Sequence, residues 1–212
     1  MKIKILLVDD HQILRDGIRN VIEKNISMEV IAEAKDGREA IKLCKQLKPN
    51  VVIMDIAMEG LNGVEATTRI VQENPETKII ALSMHSNKRF VLGMFKAGAY
   101  GYLLKDCDSD ELIKAIKTVS INQKYIAQNI SAVILNEFIS GEQEEEILTS
   151  REKEILQLIA EGKSSKDIGE ILFLSSKTVD SHRKNIMDKL ELHSLPELTK
   201  YAIKIGLINL DK

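Results

Sequence analysis

Apolar and polar positions in the first half of the chain predict an alternation of strands and helices. Short runs rich in β-branched residues are typical of strands buried on both faces, and apolar positions three and four apart are typical of the helices between them. We expect five strands, at Ile3–Val8, Val30–Ala34, Val51–Asp55, Lys78–Ser83 and Tyr100–Leu104. Strict alternation predicts a doubly wound α/β domain with a five-stranded parallel sheet, over residues 1–121.

The pattern changes after this domain. Residues 122–146 show little strand signal, one amphipathic segment near 127–139 and an acidic run at 142–146. Glycine next to like charges favours a solvated linker, here with one short helix, although the acidic run is equally explained as the exposed end of a helix. Residues 147–212 predict a small all-α domain of four helices. Its second and third helices are joined by a short turn, which indicates a helix-turn-helix.

Composition narrows the class of protein. The 212 residues carry a net charge of −2, which does not exclude DNA binding because a small basic surface can be hidden in an acidic average. No apolar stretch approaches the roughly 18 residues of a membrane span, and the chain becomes acidic too early for a signal peptide. Cys44 and Cys107 have no neighbour at metal-ligand spacing. We therefore expect reduced thiols in a cytoplasmic protein without a membrane partner.

Residues that carry chemistry fall where the predicted strands end. Asp9 and Asp10 follow the first strand, Asp55 ends the third, Ser83 ends the fourth and Lys105 follows the fifth. The carboxyl ends of parallel strands meet at one edge of a sheet, so we expect these side chains to lie together. Three carboxylates repel one another unless a cation neutralises them, and Mg²⁺ suits such oxygen donors. An aspartate there can accept a phosphoryl group.

Each of these residues alone has a plainer explanation. An Asp-Asp pair after a strand is often an N-cap pair, a lysine after a strand is usually solvated, and Ser83 could be a turn residue. Their joint occurrence at successive strand ends favours the functional interpretation. A Mg²⁺-dependent phosphohydrolase would use the same pocket, but Ala57 stands where its second general acid would be, so we do not expect an enzyme.

The segments Leu6–His11, Met54-Asp55 and Gly98–Asp106, with Ser83, resemble the receiver domain of two-component response regulators. The resemblance implies that Asp55 is the phosphoacceptor. It implies a Mg²⁺ site formed by Asp9, Asp10, Asp55 and the backbone carbonyl of Ala57. It also implies three switch residues, namely the hydroxyl of Ser83, the phosphate-pairing Lys105, and Tyr102, which turns inward on activation. Glu59 stands where the family often has proline, and this departure removes no ligand.

The segments Leu148–Glu152, Ile159–Ser164 and Thr178–His182 resemble a LuxR-type helix-turn-helix domain. Together with the receiver, this is the layout of the NarL/FixJ subfamily. Residues 149–212 contain 11 basic and 10 acidic residues, so their net charge does not indicate DNA binding. The prediction of DNA binding depends on where the polar residues lie on the helices. The polar side of the third helix is expected to contact bases and phosphates, although an ordinary solvated helix gives a similar pattern. The expected DNA contacts are Lys166, Lys177, Thr178, Ser181, Lys184 and Asn185.

Two positions depart from the LuxR-type pattern. Many members have asparagine where Ser165 stands and lysine where Asp180 stands. The Asp180 carboxylate would repel phosphate and could instead accept a hydrogen bond from a cytosine amine. The operator of another member therefore cannot be borrowed for this chain.

These features predict a DNA-binding response regulator. We expect a sensor histidine kinase to supply the phosphoryl group on Asp55, and the phosphorylated chain to bind a pseudo-palindromic promoter site as a homodimer. The alternative is a regulator that acts mainly through protein–protein contacts and binds DNA weakly, which Asp180 and the nearly neutral second domain favour. An apolar stripe on the last helix, at Leu198, Tyr201, Ala202 and Ile205, is either a dimer surface or core.

Overall fold

The computed structural model describes residues 2–84, 88–128, 130–131 and 147–208. The chain divides into two compact units, residues 1–141 and 142–212. This division falls inside the predicted linker, whose own bounds at 122 and 146 stay a prediction. Within the described residues, no helix combines the length and the apolar character needed to cross a membrane.

The first unit is a parallel sheet with the strand order β2-β1-β3-β4-β5-β6. Its strands are β1 (Ile3–Val8), β2 (Met28–Ala34), β3 (Val51–Asp55), β4 (Lys78–Ser83), β5 (Gly101–Leu104) and β6 (Tyr125–Ile126). Its helices are α1 (Gln12–Glu23), α2 (Gly37–Leu47), α3 (Gly63–Glu73), α4 (Lys88–Lys96) and α5 (Ser109–Ser120). The predicted doubly wound α/β class is confirmed.

The register of the sheet explains why its carboxyl edge is crowded with functional groups. Val8 pairs with Met54, Asp55 with Leu82, and Ser83 with Leu104, so β1, β3, β4 and β5 end side by side. All five residues of β3 are buried, as the unbroken apolar run predicts. The core below this edge holds the strands in place, and the polar residues that follow them project from a rigid base.

The sheet has six strands, and the prediction of five was wrong. β6 lies in the segment interpreted as a linker and pairs with β5 in parallel, Gly101 with Tyr125 and Tyr102 with Ile126. A two-residue strand is too short to leave a periodic pattern, and it forms because the backbone groups at the edge of β5 need partners. The short helix expected near 127–139 and the acidic run lie mostly outside the described residues.

The second unit contains four described helices around its own core. They are α6 (Ser150–Ala160), α7 (Ser165–Leu172), α8 (Ser176–Leu190) and α9 (Leu195–Lys204). A capping box begins α6, because the Thr149 N–H donates to Glu152 at 2.8 Å and the Glu152 N–H donates to the Thr149 hydroxyl at 3.3 Å. Helix α7 ends at Phe173 in a left-handed conformation, with φ of 56°, and Ser175 caps α8.

The apolar stripe of α9 belongs to this core. Leu198 and Ala202 are fully buried, and Tyr201 and Ile205 pack against the same cluster. Of the two alternatives for the stripe, the structure therefore supports core over dimer surface.

Candidate functional site

The carboxyl edge of the sheet brings the predicted acidic residues together. One carboxylate oxygen each of Asp9, Asp10 and Asp55 and one ring nitrogen of His11 all lie within 4.8 Å of one another. Asp9 and Asp55 are buried, and Asp10 is half-buried. We call these four residues and Lys105 the acidic pocket.

Lys105 links two carboxylates of the acidic pocket. Its Nζ lies 2.7 Å from Oδ2 of Asp9 and 3.0 Å from Oδ2 of Asp55, with only 8% of its side chain exposed. Its own N–H donates to the Ser83 carbonyl at 2.8 Å, which fixes the lysine backbone to β4. The N–H of Ala57 approaches Oδ1 of Asp55 at 3.4 Å. Asp55 is therefore held between a cation and the loop that follows it.

Burial and charge set the protonation of this pocket. Burial raises the pKa of Asp55, the neighbouring Asp9 raises it further, and Lys105 offsets only part of this. Burial alone would lower the pKa of Lys105, but Asp55 and Asp9 outweigh it, so the net shift is upward. The lysine is held as a cation, while the charge on Asp55 is costly to bury. A further cation beside Asp55 would lower that cost.

Ser83 and Tyr102 form a second buried pair next to the acidic pocket. Ser83 is 2% exposed and Tyr102 is fully buried, so the ring faces inward. Burial raises the pKa of Tyr102 to about 12, and a hydrogen bond with the Ser83 side chain works against that rise. The serine hydroxyl at the end of β4 is thus joined to an aromatic residue of β5.

The second unit carries a polar depression along α8. Its volume is about 300 Å³, and it is open to solvent. It is lined by Ser175, Lys177, Thr178, Ser181, His182 and Asn185. Val179 and Ile186 of the same helix are buried in the core, so α8 presents one polar side and anchors the other.

The two departures from the LuxR-type pattern contact each other. Oδ1 of Asp180 accepts a hydrogen bond from the Ser165 hydroxyl at 2.7 Å and lies 3.2 Å from Nη2 of Arg183. This contact joins the start of α7 to α8. The carboxylate of Asp180 is therefore engaged within the protein.

Comparison with protein families decides what these two sites belong to. The family model of the response regulator receiver domain matches residues 5–117. The model of bacterial regulatory proteins of the luxR family matches residues 146–202. The chain belongs to the NarL/FixJ family of response regulators. We call the first unit the receiver domain, the second unit the LuxR-type domain, and α8 the recognition helix.

Curated relatives share this layout along almost their whole length. The chain is 40% identical to the oxygen regulatory protein NreC of Staphylococcus epidermidis, over 97% of this chain and 99% of that protein. It is 36% identical to the transcriptional regulatory protein DegU of Brevibacillus brevis, over 98% and 95% of the two chains. Both similarities cover receiver and LuxR-type domain together, and the family consists of transcription regulators.

Solved structures agree with the fold. A LuxR-family response regulator from Aurantimonas is 37% identical, with a TM-score of 0.62 over 66% of this chain and 99% of that chain. RcsB in complex with DNA is 27% identical, with a TM-score of 0.61 over 96% and 98% of the two chains. A parallel α/β receiver followed by a helical DNA-binding domain is the architecture of this family.

The residues predicted for the receiver come together, whereas those predicted for DNA contact do so in part. Four of the six expected DNA contacts line the depression on the recognition helix: Lys177, Thr178, Ser181 and Asn185. Lys184 is exposed on the same helix and Lys166 on α7, and neither lines the depression. The roles of all these residues stay predictions.

Four residues near the two sites were not foreseen as site residues. Nδ1 of His11 lies 2.8 Å from Oδ1 of Asp10, and Arg15 donates to the Asp9 carbonyl at 2.6 Å. The position of His11 and Arg15 at the start of the helix after Asp9-Asp10 could have indicated that they lie near the acidic pocket. His182 and Ser175 line the depression, and helical spacing from Thr178 would have placed His182 on that side.

The donor set of the acidic pocket suits a hard divalent cation. Three carboxylates lie together and only two of them contact Lys105, and carboxylate oxygens are the ligands that Mg²⁺ prefers. The high burial cost of the Asp55 charge points the same way. The carbonyl of Ala57 as a ligand stays a prediction.

Proposed function

We propose that this chain is a phosphorylation-controlled transcription factor in the cytoplasm, where promoter DNA lies. Asp55 accepts a phosphoryl group from a phosphohistidine of a sensor kinase, so that the P–N bond breaks and a bond from phosphorus to a carboxylate oxygen forms. The observation that carries the proposal is the buried bridge from Lys105 to Asp9 and Asp55. It holds a carboxylate nucleophile beside a cation at the edge of the sheet.

Mg²⁺ would be held by Asp9, Asp10, Asp55 and the Ala57 carbonyl, where it would neutralise charge on the phosphoryl oxygens. Lys105 supplies the second cation. The phosphoryl group carries a charge of about −1.5 to −2 in place of the single charge of the Asp55 carboxylate, and this gain in negative charge draws the ammonium from the carboxylates to a phosphoryl oxygen. Because the lysine backbone is bonded to β4, the movement lies mostly in its side chain.

Ser83 and Tyr102 respond to the same new charge. The Ser83 hydroxyl is a donor, and a phosphoryl oxygen beside Asp55 is a stronger acceptor than the phenol it now contacts. When Ser83 turns to the phosphoryl group, the Tyr102 hydroxyl has to find a new position within the core. The resulting repacking of β4 and β5 is the proposed signal for output.

The output is dimeric binding to DNA. Recognition helices of two copies would enter successive major grooves of a pseudo-palindromic site, with centres about 34 Å apart. RcsB, which shares this architecture, has been solved as dimers bound to DNA. Lys177, Ser181 and Asn185 would read base edges, while Lys166 and Lys184 would contact phosphates.

The test is DNA binding by the full chain with and without acetyl phosphate and Mg²⁺, against duplexes selected from a random pool. The wild type should bind at least tenfold more tightly after phosphorylation, and Asp55→Asn should not respond. Asp110→Asn, which removes an exposed carboxylate of α5 outside the pocket, serves as the control and should respond like the wild type. Equal affinity in all samples would show that Asp55 does not control DNA binding.

The alternative of a regulator acting mainly through protein contacts is favoured by one observation. The LuxR-type domain is nearly neutral, and Asp180 adds a negative charge to the recognition helix. Failure of the chain to bind any duplex from the pool, in either phosphorylation state, would support this alternative.

A further inference from the structure

The recognition helix carries a carboxylate that is tied to its neighbours. Asp180 accepts from the Ser165 hydroxyl at 2.7 Å and pairs with Arg183 at 3.2 Å, both through Oδ1. Ser165 and Asp180 are 15 residues apart, so the bond fixes α7 against the recognition helix. Side-chain exposure is 49% for Asp180 and 38% for Arg183. The group is therefore at the surface, where DNA can reach it.

Asp180 stands among the residues expected to contact DNA. Lys177 lies three positions before it and Lys184 four positions after it, so both are its neighbours on the helix surface. In a helix-turn-helix, the recognition helix enters the major groove while the helix before it crosses the phosphate backbone. The Ser165–Asp180–Arg183 contact joins these two helices. A negative charge is thus fixed beside the path of the backbone.

The contact engages two groups that could otherwise bind phosphate. The Ser165 hydroxyl donates to Asp180, and Nη2 of Arg183 pairs with the same carboxylate, whose charge offsets that of the arginine. The domain has almost no net positive charge to make up for these two engaged groups, since residues 149–212 hold 11 basic and 10 acidic residues. Sequence-independent attraction to DNA, which depends on phosphate contacts, is weakened as a result.

We propose that Asp180 is a specificity-determining residue that suppresses binding to non-operator DNA. The proposal rests on the proposed DNA binding and adds how that binding is made selective. Specificity is a difference between two affinities, and a repulsive group that weakens the wrong complex raises it as effectively as a new contact in the right one. With phosphate attraction low, base contacts from Lys177, Ser181 and Asn185 decide which sequence is bound.

Direct reading of cytosine by Asp180 is the competing explanation. Oδ1 already takes two partners, so a base amine would have to use Oδ2 or displace Ser165 and Arg183. The two explanations predict opposite results when the charge is removed. Suppression predicts tighter binding to all DNA, whereas base reading predicts weaker binding to the operator alone.

The experiment measures affinity of the full chain for a random-sequence duplex and for the selected operator, over a series of salt concentrations. Asp180→Asn keeps an acceptor for Ser165 and removes the charge. It should bind the random duplex about 5-fold more tightly, with the salt slope steeper by about one ion. The ratio of operator to random affinity should fall about 3-fold, since operator binding gains less.

Two further variants separate charge from structure. Glu170→Gln removes an exposed carboxylate from α7 and should change the affinity for random DNA less than twofold. Ser165→Ala breaks the link between helices but keeps the charge of Asp180, and it should also stay within about twofold. A random-duplex affinity for Asp180→Asn equal to that of the wild type, or one matched by either control variant, overturns the proposal.

If Asp180→Asn bound the operator more weakly, and the loss disappeared when a single cytosine of the operator was replaced, the proposal would also be overturned and base reading established. The proposed function fails by a different result, namely equal affinity of the wild type with and without acetyl phosphate. The comparison of Asp180→Asn with the wild type on random DNA is made at one fixed phosphorylation state, so the two failures are distinguishable.

Discussion

Lys105 in the receiver domain and Arg183 in the LuxR-type domain are both paired with aspartate, but in different surroundings. The Lys105 side chain is 8% exposed and contacts two buried carboxylates, whereas Arg183 is 38% exposed and contacts one carboxylate that is half in water. Water screens the second pair, so its effect on folding is small and its effect on an approaching polyanion remains. The first pair is screened little, so any change of charge there must be answered by rearrangement. A buried charge pair therefore suits a response to phosphorylation, and an exposed charge pair suits discrimination between DNA sequences.

The largest effect should come from removing the buried cation. Lys105→Met leaves Asp9 and Asp55 facing each other without compensation, and we expect the receiver domain to lose about 3 kcal/mol of unfolding free energy. Urea unfolding followed by circular dichroism measures this. Lys117→Met, at an exposed position of α5, is the control and should change the value by less than about 0.5 kcal/mol. Similar losses in both variants would remove the contrast between buried and exposed charge.

A cap in the LuxR-type domain should matter less than the buried lysine. Thr149→Ala removes one side of the capping box of α6 and should lower the unfolding free energy of this domain by about 1 kcal/mol. The matched control is Thr199→Ala, because the Thr199 hydroxyl bonds the Leu195 carbonyl within its own helix. Thermal unfolding separates the two variants. A larger loss for Thr199→Ala would contradict the role assigned to the cap.

Neutralising Asp55 should stabilise the receiver domain. The pKa of Asp55 in the folded state lies above the ordinary value of 3.8. At a pH between 3.8 and this folded pKa, the folded state therefore binds more protons than the unfolded state. Stability from this group therefore falls as pH rises through that window and stays low above it. Asp55→Asn should gain about 1 kcal/mol at neutral pH. The difference in unfolding free energy between wild type and variant, measured from pH 3 upward, should grow with pH and then level off. A constant difference would show that the pKa of Asp55 is not raised by folding.

The smallest predicted effect lies in the turn before the recognition helix. Phe173 adopts a φ of 56° and is 94% exposed, which a β-carbon-bearing aromatic side chain tolerates poorly. Phe173→Asn should raise the unfolding free energy by about 0.5 kcal/mol, because asparagine adopts this conformation more readily. Glu191→Asn, at a φ of 53°, should give a similar gain. A loss at 173 beside a gain at 191 would mean that the phenylalanine ring contributes contacts that outweigh its backbone strain.

How far the sequence predicts these sites depends on burial. The acidic pocket was predictable because β-strands have a fixed period and parallel strands share one edge, so Asp9, Asp55 and Lys105 had to meet. The sixth strand was not predictable, since two residues make no period. The contact between Ser165 and Asp180 was missed for a different reason. Exposed polar side chains on two helices have several possible partners, and helical spacing alone cannot choose among them.

The sixth strand has a practical consequence for anyone who isolates the receiver. Its backbone covers the open side of β5, with the Tyr125 N–H on the Tyr100 carbonyl at 2.9 Å and the Ala127 N–H on the Tyr102 carbonyl at 3.5 Å. A fragment that ends at residue 121 loses both bonds and bares a strand edge, which is a template for pairing with another copy. Self-association of such a fragment would result from the exposed edge of β5 and would not be evidence of activation. Ending the fragment at residue 131 keeps the edge closed and leaves Tyr102 with its backbone partner.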